Sequence, residues 1–335
     1  LLSEVAMGLG GGAVVANGSR KLGQLPAAET NPTQAAPIDA REFHRMRRFA
    51  RLAKFPGSRI AYVERGHGQA ALFLHGYPLN GFQWRGALQR LSPYRRCLAP
   101  DFMGMGYTEA APSQDLTPAS QVDMLAALLD TLRIDKVDLV ANDSGGEMAQ
   151  VFLTRYMDRV RTLLLTNCDV DENNPPELFK PMIAEAARGL LADAFLAPQL
   201  KDKSVARSKK GMGIAFTHPE AIADETVDCY LAPLASSPLR KEQFNRYTAS
   251  FGVNELVAVR DKLRQFQGPA RMVWGTGDPL FPIRWAEWLD HTLPGSQGVH
   301  IVAGANLFFP EEMPDVIAEE ALKLWGISPL PGKLL

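Results

Sequence analysis

The sequence predicts an α/β fold with a mostly parallel central sheet flanked by helices, and three features point to it. Short apolar runs alternate with segments whose apolar residues recur at helical spacing, the pattern of parallel strands covered on both faces. The alternation breaks between residues 169 and 266, where the chain becomes mostly helical and polar-amphipathic, with joints at Pro175-Pro176 and Pro233. Strand character then returns at residues 270–274 and 299–302, so the helical block reads as an insertion over the sheet edge, a cap.

The elements follow in order. Two β-like runs, 48–55 and 59–65, are separated by Pro56-Gly57. Residues 70–74 form a short apolar run that ends in His75-Gly76-Tyr77-Pro78, and 96–99 form another that closes on Pro100-Asp101. Val122, Leu125, Leu128, Leu129 and Leu132 place one apolar face on a helix over 121–132. A strand at 136–141 leads into a helix at 145–156, and consecutive leucines mark a buried strand at 160–166. A helix at 315–325 closes the fold. The resulting division is a tail at 1–42, a core at 43–168 and 267–330, and the cap at 169–266.

Within the tail, residues 5–16 are weakly apolar and rich in Gly and Ala, and a polar, Pro- and Ala-containing stretch follows. This is similar to an export signal without its charged beginning, which would place the chain in the periplasm. A plain Ala/Gly-rich tail would leave it cytoplasmic. The stretch is too short and too Gly-rich to span a bilayer stably.

With 335 residues, 46 % of them hydrophobic, the chain can bury a large core. A formal net charge of -1 exerts no global pull toward nucleic acid or an anionic membrane. Cys97, Cys168 and Cys229 are far apart, without CxxC or metal-ligand spacing, so neither a disulfide framework nor a metal or other cofactor is implied. The expected partner is a small apolar molecule.

The chemistry centres on Val140-Ala141-Asn142-Asp143-Ser144-Gly145-Gly146, between a strand and a helix. A strand that turns sharply into a helix needs small residues two positions either side of the strained central one. Centring on Asp143 puts Ala141 and Gly145 there, whereas centring on Ser144 would put Asn142 in the first place. An aspartate at this point could also simply cap the helix. As a nucleophile, a carboxylate displaces a leaving group at saturated carbon and gives an alkyl-enzyme ester. The helix N-terminus favours its ionised form. Two more motifs sit at strand ends, His75-Gly76-Tyr77-Pro78 before the elbow and Trp274-Gly275-Thr276-Gly277-Asp278-Pro279 after it.

These ordered motifs, with Asp101-Phe102-Met103-Gly104-Met105-Gly106-Tyr107 and a packing tryptophan at Trp84, resemble the α/β-hydrolase superfamily, specifically its haloalkane dehalogenase and epoxide hydrolase branch, over about residues 48–326. The resemblance implies the α/β-hydrolase fold with Asp143 as nucleophile. It implies an oxyanion site from the N–H groups of Tyr77 and Ser144, with His75 in the same turn, and Asp278 as the acid that orients a histidine. Attack at a carbon–halogen or epoxide carbon is the implied reaction. At the histidine's position, however, the ungapped run Gly304-Ala305-Asn306-Leu307-Phe308 places Leu307. Losing a general base typically costs about 10²–10⁴-fold in the step it serves. Attack by Asp143 needs no base, so the loss falls on hydrolysis of the ester. His218, in the cap, is the one histidine considered as a replacement. Ser144 and Tyr77 stand where dehalogenases grip halide, while Tyr230 and Tyr247 are cap candidates for protonating an epoxide oxygen. Three other readings stay open: a receptor-like binding protein that does not turn over, lyase-type acid–base chemistry at Asp143, and a serine esterase using Ser144.

Overall fold

The computed structural model describes residues 38–330, and the signal-like stretch at 5–16 lies outside them. Eight strands form one sheet in the order β1-β2-β4-β3-β5-β6-β7-β8. They are β1 (Arg47–Arg51), β2 (Arg59–Arg65), β3 (Ala70–Leu74), β4 (Arg96–Pro100), β5 (Val137–Asp143), β6 (Val160–Cys168), β7 (Ala270–Gly275) and β8 (Ser296–Val302). β2 runs antiparallel to both its neighbours, and every other pair is parallel. The central strands β3 and β5 are buried along their whole length. That explains why they read as continuous apolar runs rather than as alternating ones.

The sequence-predicted strands and helices recur with shifted ends. The first run stops at Arg51, because Leu52 to Ser58 turns instead, with the Phe55 N–H donating to Leu52 O at 3.0 Å and the Ser58 N–H to Phe55 O at 3.1 Å. The tail does not extend to residue 42. A helix, α1 (Ala40–Met46), begins behind Asp39, whose side chain accepts from the Glu42 N–H, a cap the sequence reading passed over. Phe43 on this helix is buried edge-on against Phe82, 5.2 Å between ring centres.

The core helices are α2 (Arg85–Leu91), α3 (Pro118–Thr131) and α4 (Ser144–Arg155). α3 starts on a Thr117 cap with Pro118 in its first turn, where a missing N–H costs nothing. Between β6 and β7 the chain forms six α-helices, α5 (Lys180–Ala187), α6 (Ala197–Lys201), α7 (Lys203–Arg207), α8 (Asp224–Ala235), α9 (Pro238–Ser250) and α10 (Leu256–Leu263). Arg240 on α9 ties this segment to the turn after β4, donating to Gly106 O at 2.7 Å and Thr108 O at 2.8 Å. The Asn80 amide donates to Cys229 O on α8 at 2.9 Å, and the Phe308 N–H to Ala215 O at 2.8 Å. α11 (Arg284–Thr292), α12 (Phe309–Glu312) and α13 (Pro314–Leu324) complete the fold. No helix among the described residues is long and apolar enough to cross a membrane.

The join between β5 and α4 is tightly crowded. A Cβ on Gly145 would sit 2.4 Å from Leu74 O and 2.7 Å from His75 O, and one on Gly146 would sit 2.2 Å from Cys168 Cβ. Neither neighbour is a flexible side-chain end, so a methyl group at Gly145 has to push β3 away. Gly145→Ala is therefore expected to cost about 1–3 kcal/mol, the usual range for overpacking. Urea unfolding monitored by circular dichroism reads this as a lower midpoint at unchanged slope, and an unchanged midpoint would show that the join has slack.

Candidate active site

Asp143 ends β5 and precedes α4 with φ 54° and ψ −130°, a conformation that L-residues avoid and that the packing around it must enforce. Its side chain makes no capping bond to α4, so helix capping does not account for it. Oδ2 instead accepts from the Tyr77 N–H at 2.6 Å, and the adjacent Ser144 N–H also favours the charged carboxylate. A Cβ on Gly76 would lie 2.8 Å from Oδ2 and 2.9 Å from the Phe308 ring. Glycine there lets the loop after β3 carry the Tyr77 N–H up to the carboxylate.

Burial raises the Asp143 pKa to about 7, outweighing the two N–H bonds that lower it, and the nearby Asp278 carboxylate raises it further. Desolvation thus opposes the ionised state that the helix N-terminus favours.

The elbow opens into a cavity of about 80 Å³. Its wall is mostly apolar, with Phe179, Met182, Phe195, Met212 and Phe251 from the helical segment and Phe281, Leu307 and Phe308 from the core. The polar residues on the wall are Tyr77, Asp143, Ser144 and Asp169.

Leu307 lines the cavity where the sequence reading placed it, and it is 3 % exposed. Its carbonyl accepts from the Asn142 amide at 3.0 Å. Asn306 turns away, its amide donating to Ile214 O at 2.9 Å and its Oδ1 accepting from the Leu307 N–H. Asp278 is buried behind the wall. Its Oδ1 accepts from the Leu280 N–H at 2.8 Å and its Oδ2 from the Asn167 amide at 2.9 Å, and burial holds its pKa up at about 6.

Like Asp278, three further candidates lie off the cavity wall. The His75 ring is fully buried, with Nε2 accepting from the Phe102 N–H at 3.1 Å. Nδ1 therefore carries the proton and donates to Gly76 O at 2.9 Å. Both nitrogens brace the turn, and neither faces substrate space. The Tyr230 hydroxyl donates to Glu311 at 2.6 Å, because the Arg85–Glu311 ion pair beneath it supplies a polar partner. Tyr247 stacks on Tyr77, 6.4 Å between ring centres, with its hydroxyl toward Ser144. Ser144 Oγ makes no well-formed hydrogen bond, so no general base is bonded to it as a serine nucleophile requires. His218 is exposed next to Glu220, and no histidine lines the cavity.

Asp169 is the residue the sequence reading missed. Cys168 lies directly opposite Asp143 in the β5–β6 register, so the next residue emerges at the cavity, 5 % exposed. Its position was legible as a carboxylate at the C-terminal end of a parallel strand, where ligands gather in such sheets. Burial first, then the Glu147 and Asp143 carboxylates, hold its pKa well above the usual range. Glu147, at about 8, is turned to the Asn174 amide at 2.7 Å.

Residues 71–320 match the alpha/beta hydrolase family. The chain is 38 % identical over 148 residues to epoxide hydrolase 2 of Siraitia grosvenorii, a stretch that covers 44 % of this chain and 46 % of that protein. The chain thus spans about half the length of this relative. It is 30 % identical over 187 residues to a haloalkane dehalogenase of Mesorhizobium japonicum, 55 % of this chain and 59 % of that one. The structure of the epoxide hydrolase CorEH superposes with a TM-score of 0.66 at 21 % identity, covering 84 % of this chain and 98 % of the other.

A carboxyl whose pKa is raised on folding makes the folded state bind more protons than the unfolded chain. For Asp143 its stabilising protonation is complete below the unfolded pKa of about 4 and is lost as pH rises through about 7. Asp143→Asn removes that loss. Its melting temperature should exceed the parent's at pH 8, by the equivalent of about 1–4 kcal/mol, and converge on it near pH 4. A difference independent of pH would mean that Asp143 is not desolvated.

Proposed function

The chain belongs to the alpha/beta hydrolase family, and from that footing we propose that it attacks a carbon–halogen or epoxide carbon through Asp143, forming an alkyl-enzyme ester. One observation carries the reading: a strained elbow presents a carboxylate, rather than a hydroxyl, into a small apolar cavity, with Oδ2 held by the Tyr77 N–H. That bond fixes the group, so attack falls to Oδ1. The same N–H groups of Tyr77 and Ser144 then face the ester carbonyl, where negative charge develops during hydrolysis. The segment at 169–266 serves as the cap that closes the apolar side of the cavity and excludes water. Substrates are small organic molecules, limited by the cavity's size.

The names of the relatives support both leaving groups. The cavity wall lacks a tryptophan N–H to hold a departing halide, which favours the epoxide side. A second reading has one observation behind it: a carboxyl lifted to about 7 can carry a proton, which suits lyase-type acid–base chemistry at the same residue.

Incubation with a panel of small bromoalkanes and epoxides, followed by intact-protein mass spectrometry, separates these. The proposal predicts an added mass equal to the alkyl or hydroxyalkyl group on the parent and none on Asp143→Ala. Alkylation by bromoalkanes should accelerate with pH through about 7 and then level off, since only the ionised carboxylate attacks. Product that carries no solvent oxygen, formed with no ester detectable even in the first turnover, would favour the lyase reading. Neither adduct nor consumption would leave a ligand-binding protein.

A further inference from the structure

The proposed reaction lacks two proton carriers that its chemistry requires. An epoxide oxygen must be protonated as the ring opens, yet Tyr230 is bonded to Glu311 and neither it nor Tyr247 reaches the cavity wall. Ester hydrolysis needs a base to take a proton from water, yet Leu307 fills that position and Asn306 is committed to the carbonyl of Ile214. Besides Asp143, the side chains on the wall that titrate are Tyr77 and Asp169. The Tyr77 hydroxyl accepts from Thr248 Oγ1 at 3.0 Å, and burial strongly opposes its ionisation.

We propose that Asp169 is both missing groups in turn: the acid that protonates an epoxide oxygen during ring opening, and then the base that activates water to hydrolyse the Asp143 ester. The inference rests on Asp143 forming that ester. Register supplies the placement, since Cys168 pairs with Asp143 and Asp169 follows it onto the same wall. Of the acidic neighbours, Glu147 is turned to Asn174, and Asp278 is held by Asn167 and the Leu280 N–H. Neither lines the cavity, so both act on Asp169 through charge alone. The buried Cys168 thiol beside it is held protonated.

The steps balance. Asp143 Oδ1 bonds to a ring carbon, the carbon–oxygen bond breaks, and its electron pair takes the Asp169 proton. The products are a hydroxyalkyl ester and the Asp169 carboxylate. Esterification has meanwhile erased the Asp143 charge, one of the groups that had disfavoured ionisation of Asp169. The carboxylate then takes a proton from water, and the hydroxide adds to the ester carbonyl, whose oxygen lies at the Tyr77 and Ser144 N–H groups. Collapse expels the alkoxide, which recovers its proton from Asp169. This leaves Asp143 protonated and Asp169 ionised, and passage of that one proton from Asp143 to Asp169 restores both; the net reaction is epoxide plus water to diol. With a bromoalkane the first step expels bromide and needs no acid; Asp169 then releases its proton to solvent once esterification has removed the Asp143 charge, and serves only as base in the second.

This asymmetry is the test. The full chain and Asp169→Asn are mixed separately with 1-bromobutane and with styrene oxide, and ester and product are followed by mass spectrometry. Asn is a neutral isostere of a protonated carboxyl, and a melting curve checks its fold. The variant should form the butyl ester at the parental rate but hydrolyse it about 10²–10⁴-fold more slowly, so that it accumulates. With styrene oxide, ester formation itself should fall by a similar factor. On the parent alone, epoxide opening should decline again at alkaline pH while bromobutane alkylation does not. Equal hydrolysis rates in parent and variant, or a parent ester as persistent as the variant's, would overturn the role of Asp169 while leaving Asp143 as nucleophile. No ester with either compound would take down both.

Discussion

Everything at this site depends on holding one aspartate in a backbone conformation it would not choose. Asp143 sits at φ 54° and ψ −130°, and the cost of such strain, of order 1–3 kcal/mol, is offset by packing that leaves it no alternative. Gly145 lies against the end of β3, Gly146 against Cys168, and Gly76 against Asp143 itself. Those close approaches place the Tyr77 N–H on the carboxylate. A looser join would lower the strain and lose the hole. The buried amide chain beneath works to the same end: Asn142 accepts from Gln83 at 2.6 Å and donates to Thr166 and to the carbonyls of Asn167 and Leu307. It locks the three loops that surround Asp143 to one another.

The second governing effect is desolvation. Asp143, Glu147, Asp169 and Asp278 are all buried within mutual electrostatic reach, and each is pushed toward its neutral form. Four carboxylates under an apolar roof cannot all be charged. In the proposed mechanism the protons they retain are reagents, and the group that titrates next is set by which neighbour has just lost its charge. A histidine at residue 307 would supply a base directly. Leucine there makes the wall drier, and the proposed mechanism leaves proton transfer to the carboxylates.

The fold and the elbow were legible because both leave local marks. Buried parallel strands read as apolar runs, and the spacing of Ala141, Asp143 and Gly145 has few uses other than a tight strand-to-helix turn. The Leu307 position followed from an ungapped frame. Side-chain direction was not legible where long-range partners decide it. Tyr230 turns to the Arg85–Glu311 pair, 81 residues away along the chain for its glutamate, and His75 turns inward to the Phe102 N–H. Asp169 was obscured by its neighbours, since a residue ending an apolar strand and opening a helical segment looks like a boundary. The balance at Asp143 was only half legible, because the helix N-terminus that favours its charge is visible in sequence, whereas the depth of burial that opposes it is not.

A single turnover in water enriched in oxygen-18, with excess protein over epoxide and mass mapping of the peptide that contains Asp143, decides whether the elbow carboxylate is the nucleophile. If it is, the solvent oxygen enters the Asp143 carboxylate and the first diol formed carries none. Labelled diol in the first turnover, with an unlabelled Asp143 peptide, would mean that water attacks the substrate directly and that the elbow carboxylate is a base.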